Sequence, residues 1–248
     1  DALPISSMAI MAAAEIVGMT VMAHLLAPGI PVVATPLMFT LDMRTGSALQ
    51  SCVESLQAAS VSIQLLKQGF GMLAHTYGSG SDTPDVDHQS MAERAMLCQT
   101  VALAGADILG GVGQLECATV FSPVQAVLDN EVGAMTRRFI RKPAISEDAL
   151  NWVEMMRIRA GGHFLDSDHT VRSCREQLVP EVFLRQGRDD YEKSGRRTAF
   201  DAAREAALAA IKAASEMGAL SEDQLREIAT LTAHADEHIV AAYAGAVE

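Results

Sequence analysis

The amino-acid sequence predicts an α/β protein assembled from βα repeats, with parallel strands joined by crossover helices. Two observations predict it. Short apolar runs start about every 35–40 residues, with helical stretches of about 16–22 residues between them. Each run is followed by a polar, glycine-rich loop, which is where ligands meet folds of this kind.

The elements follow in order. Met8–Leu26 reads as a buried helix closed by Pro28-Gly29. It carries Glu15 and His24, so it falls short of the roughly 18 uninterrupted apolar residues of a membrane span. Pro31–Leu37 reads as the first strand and Ser47–Gln68 as the next helix. Gly71–His75 is the second strand, and His88–Ala104 a helix with Asp85 or Asp87 as its N-cap. Asp107–Gly111 is the third strand and Ser122–Ile140 a further helix. Ile145–Arg159 reads as a helix capped by Ser146, and Gln186–Arg197 as a charged surface connection. Two helices finish the chain, Thr198–Met217 and Ser221–Ala244. Gly218 ends the first, and Ser221 with Gln224 has the spacing of a capping box in the second. The expected division is a βα-repeat part at 1–185 and a C-terminal helical extension at 186–248, packed on it.

Bulk properties exclude several function classes. The 248 residues are 49% hydrophobic and 20% charged, enough for a real core. Aromatics are only 4%, and the 13 methionines read as gap-fillers. A net charge of −12 argues against nucleic acid, whose phosphates need clustered Lys and Arg. Cys52, Cys98, Cys117 and Cys174 form neither a C-x-x-C motif nor a disulfide framework, which points to a reducing, cytoplasmic setting. The chain opens on Asp1 with its apolar pattern running by Met8, so it reads as a fragment of something longer.

The most distinctive run is Gly161-Gly162-His163-Phe164-Leu165, followed by Asp168-His169-Thr170. Titratable groups on a glycine-rich loop suit chemistry. His163 and His169 are candidates for acid/base work, substrate hydrogen bonding or metal ligation; their bland alternative is tying down a tight loop. Cys174 and Asp166 lie near, but no zinc spacing is present, and no metal is expected. Asp42 and Arg44 follow the first strand as a substrate-positioning pair or a loop-locking ion pair. Tyr77 and Asp82 in the second loop suit a quaternary or tertiary ammonium ion, through cation–π contact and charge. Glu116 in the third loop is a candidate base or cation partner. Glu131, Arg137 and Arg138 read by default as helix-surface charge or an inter-helix ion pair. His24 reads as a satisfied core histidine, and His234 with His238 as a surface helix pair.

Five segments in order resemble the trimethylamine methyltransferase family. They are LAPGIPVV at 26–33, DMRTG at 42–46, ALAGADIL at 102–109, LDNEVGAMTRRFIR at 128–141 and RAGGHFLDSDHT at 159–170. Asp166, Ser167 and Asp168 depart from the Gly-His-Pro of the family pattern, while His163 and His169 match it. The resemblance implies the C-terminal portion of a (β/α)8 TIM barrel with added C-terminal helices. It implies methyl transfer from a methylated amine, such as glycine betaine or trimethylamine, to the cobalt of a separate corrinoid protein. No tightly bound cofactor is implied, because the corrinoid (cobalamin) belongs to the partner. Pyrrolysine is absent, which favours a quaternary amine. His163 and His169 would then shape the barrel mouth, with Asp42, Arg44, Tyr77, Asp82 and Glu116 binding substrate. Arg44 would take a betaine carboxylate. The alternative is a catalytically inactive relative that binds amines or a partner. A partial barrel leaves strand edges unpaired, so a homo-oligomer or further sequence before Asp1 is expected.

Overall fold

The structure, a computed structural model, describes residues 4–158, 160–216 and 220–245. The chain divides into two compact units, Asp1–Ala206 and Ala207–Glu248.

The first unit is organised by three parallel strands: β1 (Val33–Ala34), β4 (Leu73–Tyr77) and β5 (Ile108–Gly110), in the order β1-β4-β5. Val33 pairs with Leu73, and His75, Thr76 and Tyr77 pair with Ile108, Leu109 and Gly110. Two short antiparallel hairpins sit beyond the expected elements: β2 (Thr40–Leu41) with β3 (Ala48–Leu49), and β6 (Gln114–Leu115) with β7 (Val120–Phe121). Each hairpin lies in a loop that leaves the C-terminal end of a parallel strand.

Helices connect the strands. α1 (Ile5–Leu26) precedes β1, α2 (Val53–Gln64) lies between β3 and β4, and α3 (His88–Ala104) lies between β4 and β5. α4 (Pro123–Ile140) follows β7. α2 starts later than its sequence pattern predicts because Ala48 and Leu49 are taken up by the hairpin. It runs on into a π-helical turn, Leu65–Gly69. The core joins Leu56, Ala59 and Ile63 of α2 to Ala74 of β4 and Leu97 and Val101 of α3. Such burial is the main favourable contribution to the fold.

α1 corrects an expectation. It is a helix, but most of it is not buried: Met19, Leu25 and Leu26 are largely exposed. Its buried contacts are the small Ala9 and Ala13, the latter packed with Ala34 and Leu66. By length and mean hydropathy α1 could also cross a membrane. His24 is satisfied, by the Ile30 carbonyl at 3.0 Å, but it is exposed and not in the core.

Beyond α4 the helices are short: α5 (Glu147–Leu150), α6 (Trp152–Arg157), α7 (Asp168–Ser173) and α8 (Arg188–Lys193). The single helix expected at 145–159 is broken at Asn151, whose φ of +47° is left-handed. Ser146 caps α5 as predicted, accepting from the Ala149 N–H. The first unit reaches Ala206 because α9 (Ala199–Glu216) begins by packing Ala202 and Ala203 on Leu128 and Val182. In the second unit α10 (Glu222–Gly245) is opened by the capping box of Ser221 and Gln224. Met217 and Gly218, taken as the end of the preceding helix, lie outside the described residues, as does the side chain of His238.

One buried polar centre locks this frame. The Arg94 and Asp129 side chains are both fully buried and meet at 2.9 Å, joining α3 to α4. The Asp129 carboxylate also accepts from the Gly113 N–H at 2.7 Å and from Gln125 Nε2 at 2.9 Å. Arg94 donates in addition to the Gln114 carbonyl. Burial pushes the Asp129 carboxyl upward, and the Arg94 charge with these hydrogen bonds opposes it. Glu131 is corrected from a helix-surface charge to a buried clamp: its Oε1 accepts from the Glu181 and Val182 N–H groups at 2.6 and 2.9 Å. At the other end of the sheet, Asp107 accepts from Lys67 Nζ at 2.6 Å and from the Ala74 N–H at 2.8 Å.

Two outcomes follow from these ion pairs. Asp129→Ala strands a buried guanidinium and lowers the unfolding free energy by about 3–5 kcal/mol in urea titration. The Lys67 hydrogen bond, then the Ala74 N–H, hold Asp107 below its ordinary 3.8. Its stabilisation is therefore full above that value and is lost as pH falls through the folded-state value. Asp107→Asn flattens this acid limb of the stability–pH curve, measured by thermal melts between about pH 2 and 5.

Candidate functional site

The C-terminal ends of β1, β4 and β5 point to one side, and the loops leaving them converge. Thr76, at the buried end of β4, donates to the Pro36 carbonyl after β1 at 2.9 Å. Phe39, a few residues on, meets Tyr77 edge-on, with ring centroids 6.3 Å apart and planes at 82°. Edge-to-face rings of this kind leave an electron-rich face available to a cation.

The Gly78-Ser79-Gly80-Ser81 segment then runs under cover. Its residues are buried, as is Thr83. Gly78 and Ser79 both donate their N–H groups to the Gly110 carbonyl at the end of β5. The next residues are stapled to the third loop: Glu116 N–H donates to the Thr83 carbonyl at 2.9 Å and Cys117 N–H to the Ser81 carbonyl at 3.0 Å. Glu116, Cys117 and Ala118 all have positive φ, a strained left-handed run held by these bonds.

Two carboxylates fix the second loop from either side. Glu93 of α3 accepts from Ser81 Oγ at 2.7 Å and from the Asp82 N–H at 2.9 Å. Asp82 in turn accepts from the Gln50 N–H at 2.8 Å and the Ser51 N–H at 3.1 Å, reaching the segment before α2. Burial pushes the Asp82 carboxyl above its usual range, against the two backbone donors. Asp82 is thus a clamp between loops, with no carboxylate oxygen left unbonded. The Asp87 and Ser90 capping box then starts α3.

Around this loop several buried polar atoms have no hydrogen-bond partner among the described residues. They are both carboxamide heteroatoms of Gln50, the Ser51 hydroxyl, Gln114 Oε1 and Arg94 Nε. An orphaned buried donor or acceptor costs about 1–3 kcal/mol unless a partner supplies the bond. The glycines show where these groups lie. A Cβ at Gly80 would overlap the Gln50 carboxamide. A Cβ at Gly111 would crowd the Ser79 carbonyl, Gln114 Oε1 and the Tyr77 ring.

The predicted residues sort unevenly. Tyr77, Asp82 and Glu116 come together at the strand ends. The Glu116 side chain is exposed, bonded to Thr119 Oγ1 at 3.0 Å. Asp42 and Arg44 form the loop-locking pair: Arg44 Nε and its backbone N–H both donate to Asp42 Oδ1, at 3.2 and 2.9 Å. Arg44 is 89% exposed, and its hydrogen bond holds the Asp42 carboxyl below the usual range. Both line an open pocket of about 350 Å³ with Thr40, Cys52 and Glu54. His163 is 65% exposed and faces Asp166 at 3.6 Å. His169 lies in α7, whose N-cap is Ser167, and borders a separate pocket with Arg157, Asp166 and Asp168. No hydrogen bond or ion pair among the described residues joins either histidine to the strand-end loops. No group of three or more His, Cys, Asp and Glu among the described residues can hold a metal ion.

Sequence reasoning missed Phe39, Gln50, Ser51 and Glu93. Glu93 lies one turn into a plain helix and Gln50 in a hairpin exit. Their roles come from tertiary contacts that local pattern does not carry.

Comparison with known proteins agrees across the chain. The trimethylamine methyltransferase family model matches residues 3–239. A trimethylamine methyltransferase of Methanosarcina mazei is 30% identical over 199 residues, covering 80% of this chain and 40% of that protein. One from Methanosarcina thermophila is 30% identical over 182 residues, with 73% and 38% covered. A glycine betaine methyltransferase of Desulfitobacterium hafniense is 27% identical over 182 residues, with the same coverage. The chain spans about two fifths of the length of these relatives.

The double clamp has a measurable weight. Asp82→Ala leaves the Gln50 and Ser51 N–H groups without acceptors and lowers stability by about 3 kcal/mol, read from urea unfolding.

Proposed function

The chain belongs to the trimethylamine methyltransferase family, and from that premise we propose that its strand-end loops bind a methylated amine for transfer of one N-methyl group. The observation that carries the reading is the Tyr77–Phe39 ring pair at the C-terminal ends of parallel strands, where Tyr77 leads into the loop that carries Asp82 and is bonded to Glu93. Aromatic faces and negative charge together suit an ammonium ion too crowded by methyl groups to donate hydrogen bonds. A quaternary amine fits best, because its nitrogen is already an activated leaving group and needs no general acid.

The acceptor in this proposal is the cobalt(I) of a corrinoid carried by a separate protein. Cobalt supplies the electron pair for the new carbon–metal bond. The carbon–nitrogen bond breaks, its electrons stay on nitrogen, and a neutral tertiary amine departs. The chain's own work is to hold the cation, shed its water and aim one methyl outward, which lowers the barrier by orientation and desolvation. Tyr77 supplies the cation face, while Asp82 keeps the loop beneath it in place.

We further propose that β1, β4 and β5 are consecutive strands of a (β/α)8 barrel. Three of eight units matches the two fifths of the relatives' length that this chain covers. Arg44 is not the reader of a substrate carboxylate in this proposal, since it is exposed and held by Asp42. His163 and His169 have no assigned contact with substrate.

The test incubates the purified chain with glycine betaine carrying ¹³C methyl groups and a reduced corrinoid protein. Transfer appears as a methyl–cobalt signal. Tyr77→Leu weakens binding of the cation by about 5–30-fold, the loss of one cation–π contact. Binding without transfer marks the chain as an amine-binding relative. Neither binding nor transfer with any methylated amine overturns the proposal.

A further inference from the structure

Gln50 is only 3% exposed, yet neither heteroatom of its carboxamide has a hydrogen-bond partner among the described residues. The neighbouring Ser51 hydroxyl, 6% exposed, is also unpartnered, and so is Gln114 Oε1. Gln50 lies against Gly80, while Gln114 Oε1, the neighbouring Ser79 carbonyl and the Tyr77 ring all lie close to Gly111. Native interiors rarely leave so many buried polar atoms unpaired in one place, and a cluster of them calls for a ligand or an ordered solvent molecule.

We propose that Gln50, Ser51 and Gln114 read a neutral, hydrogen-bonding arm of the substrate, a hydroxyl group, while the Tyr77 side of the site holds the methylated ammonium head. The inference rests on the methylated-amine reading above and adds the chemical class of the substrate's second group. The donor and acceptor inventory carries it. Gln50 offers two N–H donors and a carbonyl acceptor, Ser51 offers donor and acceptor in one group, and Gln114 Oε1 is an acceptor. A hydroxyl donates to one such acceptor and accepts from one such donor, and so satisfies both kinds.

A carboxylate arm fits worse on two counts. It has no proton for the two carboxamide oxygens. It would also lie beside Asp82, whose oxygens are bonded to the backbone of Gln50 and Ser51 themselves, with Glu93 directly behind. Arg94 offsets this charge only in part, because two of its guanidinium nitrogens are engaged by Asp129 and the Gln114 carbonyl. A plain tetramethylated cation has no arm and leaves the carboxamide unpaired. Sites built to bond a polar group discriminate strongly against analogues that lack it.

Isothermal titration of the purified 248-residue chain with choline, glycine betaine and tetramethylammonium tests the assignment. Choline binds about tenfold tighter than either of the others. In Gln50→Leu the ratio of choline to tetramethylammonium affinity falls to about one. If circular dichroism shows that variant unfolded, Ser51→Ala gives the same reading by reducing the ratio, since its backbone bond to Asp82 is kept. Glycine betaine binding as tightly as choline, or a ratio unchanged in the folded variant, overturns the hydroxyl arm and leaves the ammonium reading standing. A crystal structure of the chain with choline in which only an ordered water meets the Gln50 carboxamide overturns it as well. Failure of all three cations to bind overturns both readings together.

Discussion

The buried Arg94–Asp129 pair is the contact on which the rest of the structure depends. Removing two charges from water is expensive, and attraction between them repays this only when every remaining donor and acceptor is also engaged. Asp129 meets that condition, while the buried Arg94 Nε has no partner among the described residues. The carboxylate takes a guanidinium, a backbone N–H and a carboxamide at once. The Gly113 N–H and the Gln114 carbonyl belong to the turn leaving β5, so the same pair that joins α3 to α4 also fixes the third loop. The staple from Glu116 and Cys117 to the second loop then carries that position across to Ser81 and Thr83. The candidate site is thus hung from a centre behind it, not from its own surface contacts.

Acids are used in one way throughout. Asp82, Glu93, Asp107, Asp129 and Glu131 each accept from at least one main-chain N–H of a distant segment. Part of the acidity behind the net charge of −12 is structural.

The parallel strands were legible as short apolar runs between helical stretches, although Val33, Leu73 and Ile108 stay partly exposed. α3 and its Asp87 cap were legible for the same local reason: a side chain three residues from the N–H it accepts leaves a sequence signature. The two hairpins were not, since pairs of two residues are too short to show alternation. The break at Asn151 was hidden because one left-handed residue interrupts no apolar pattern. Within the site, Tyr77 and Asp82 stood out by residue type. Phe39, Gln50 and Glu93 did not, since their meaning lies in partners 11 to 38 positions away by simple difference of residue numbers. The histidine loop stood out most and is the part least tied to the strand ends.

A carboxylate that grips main-chain N–H groups is indifferent to the side chains hanging from them. Positions such as 50 and 51 can therefore exchange their side chains while the loop keeps its path, whereas Gly113, at a φ of +77° and pressed against the Phe121 ring, cannot. The frame inherits its geometry from the acids, and those two residues are free to be rewritten for a new ligand. Proline alone is barred from them, because it has no N–H to offer.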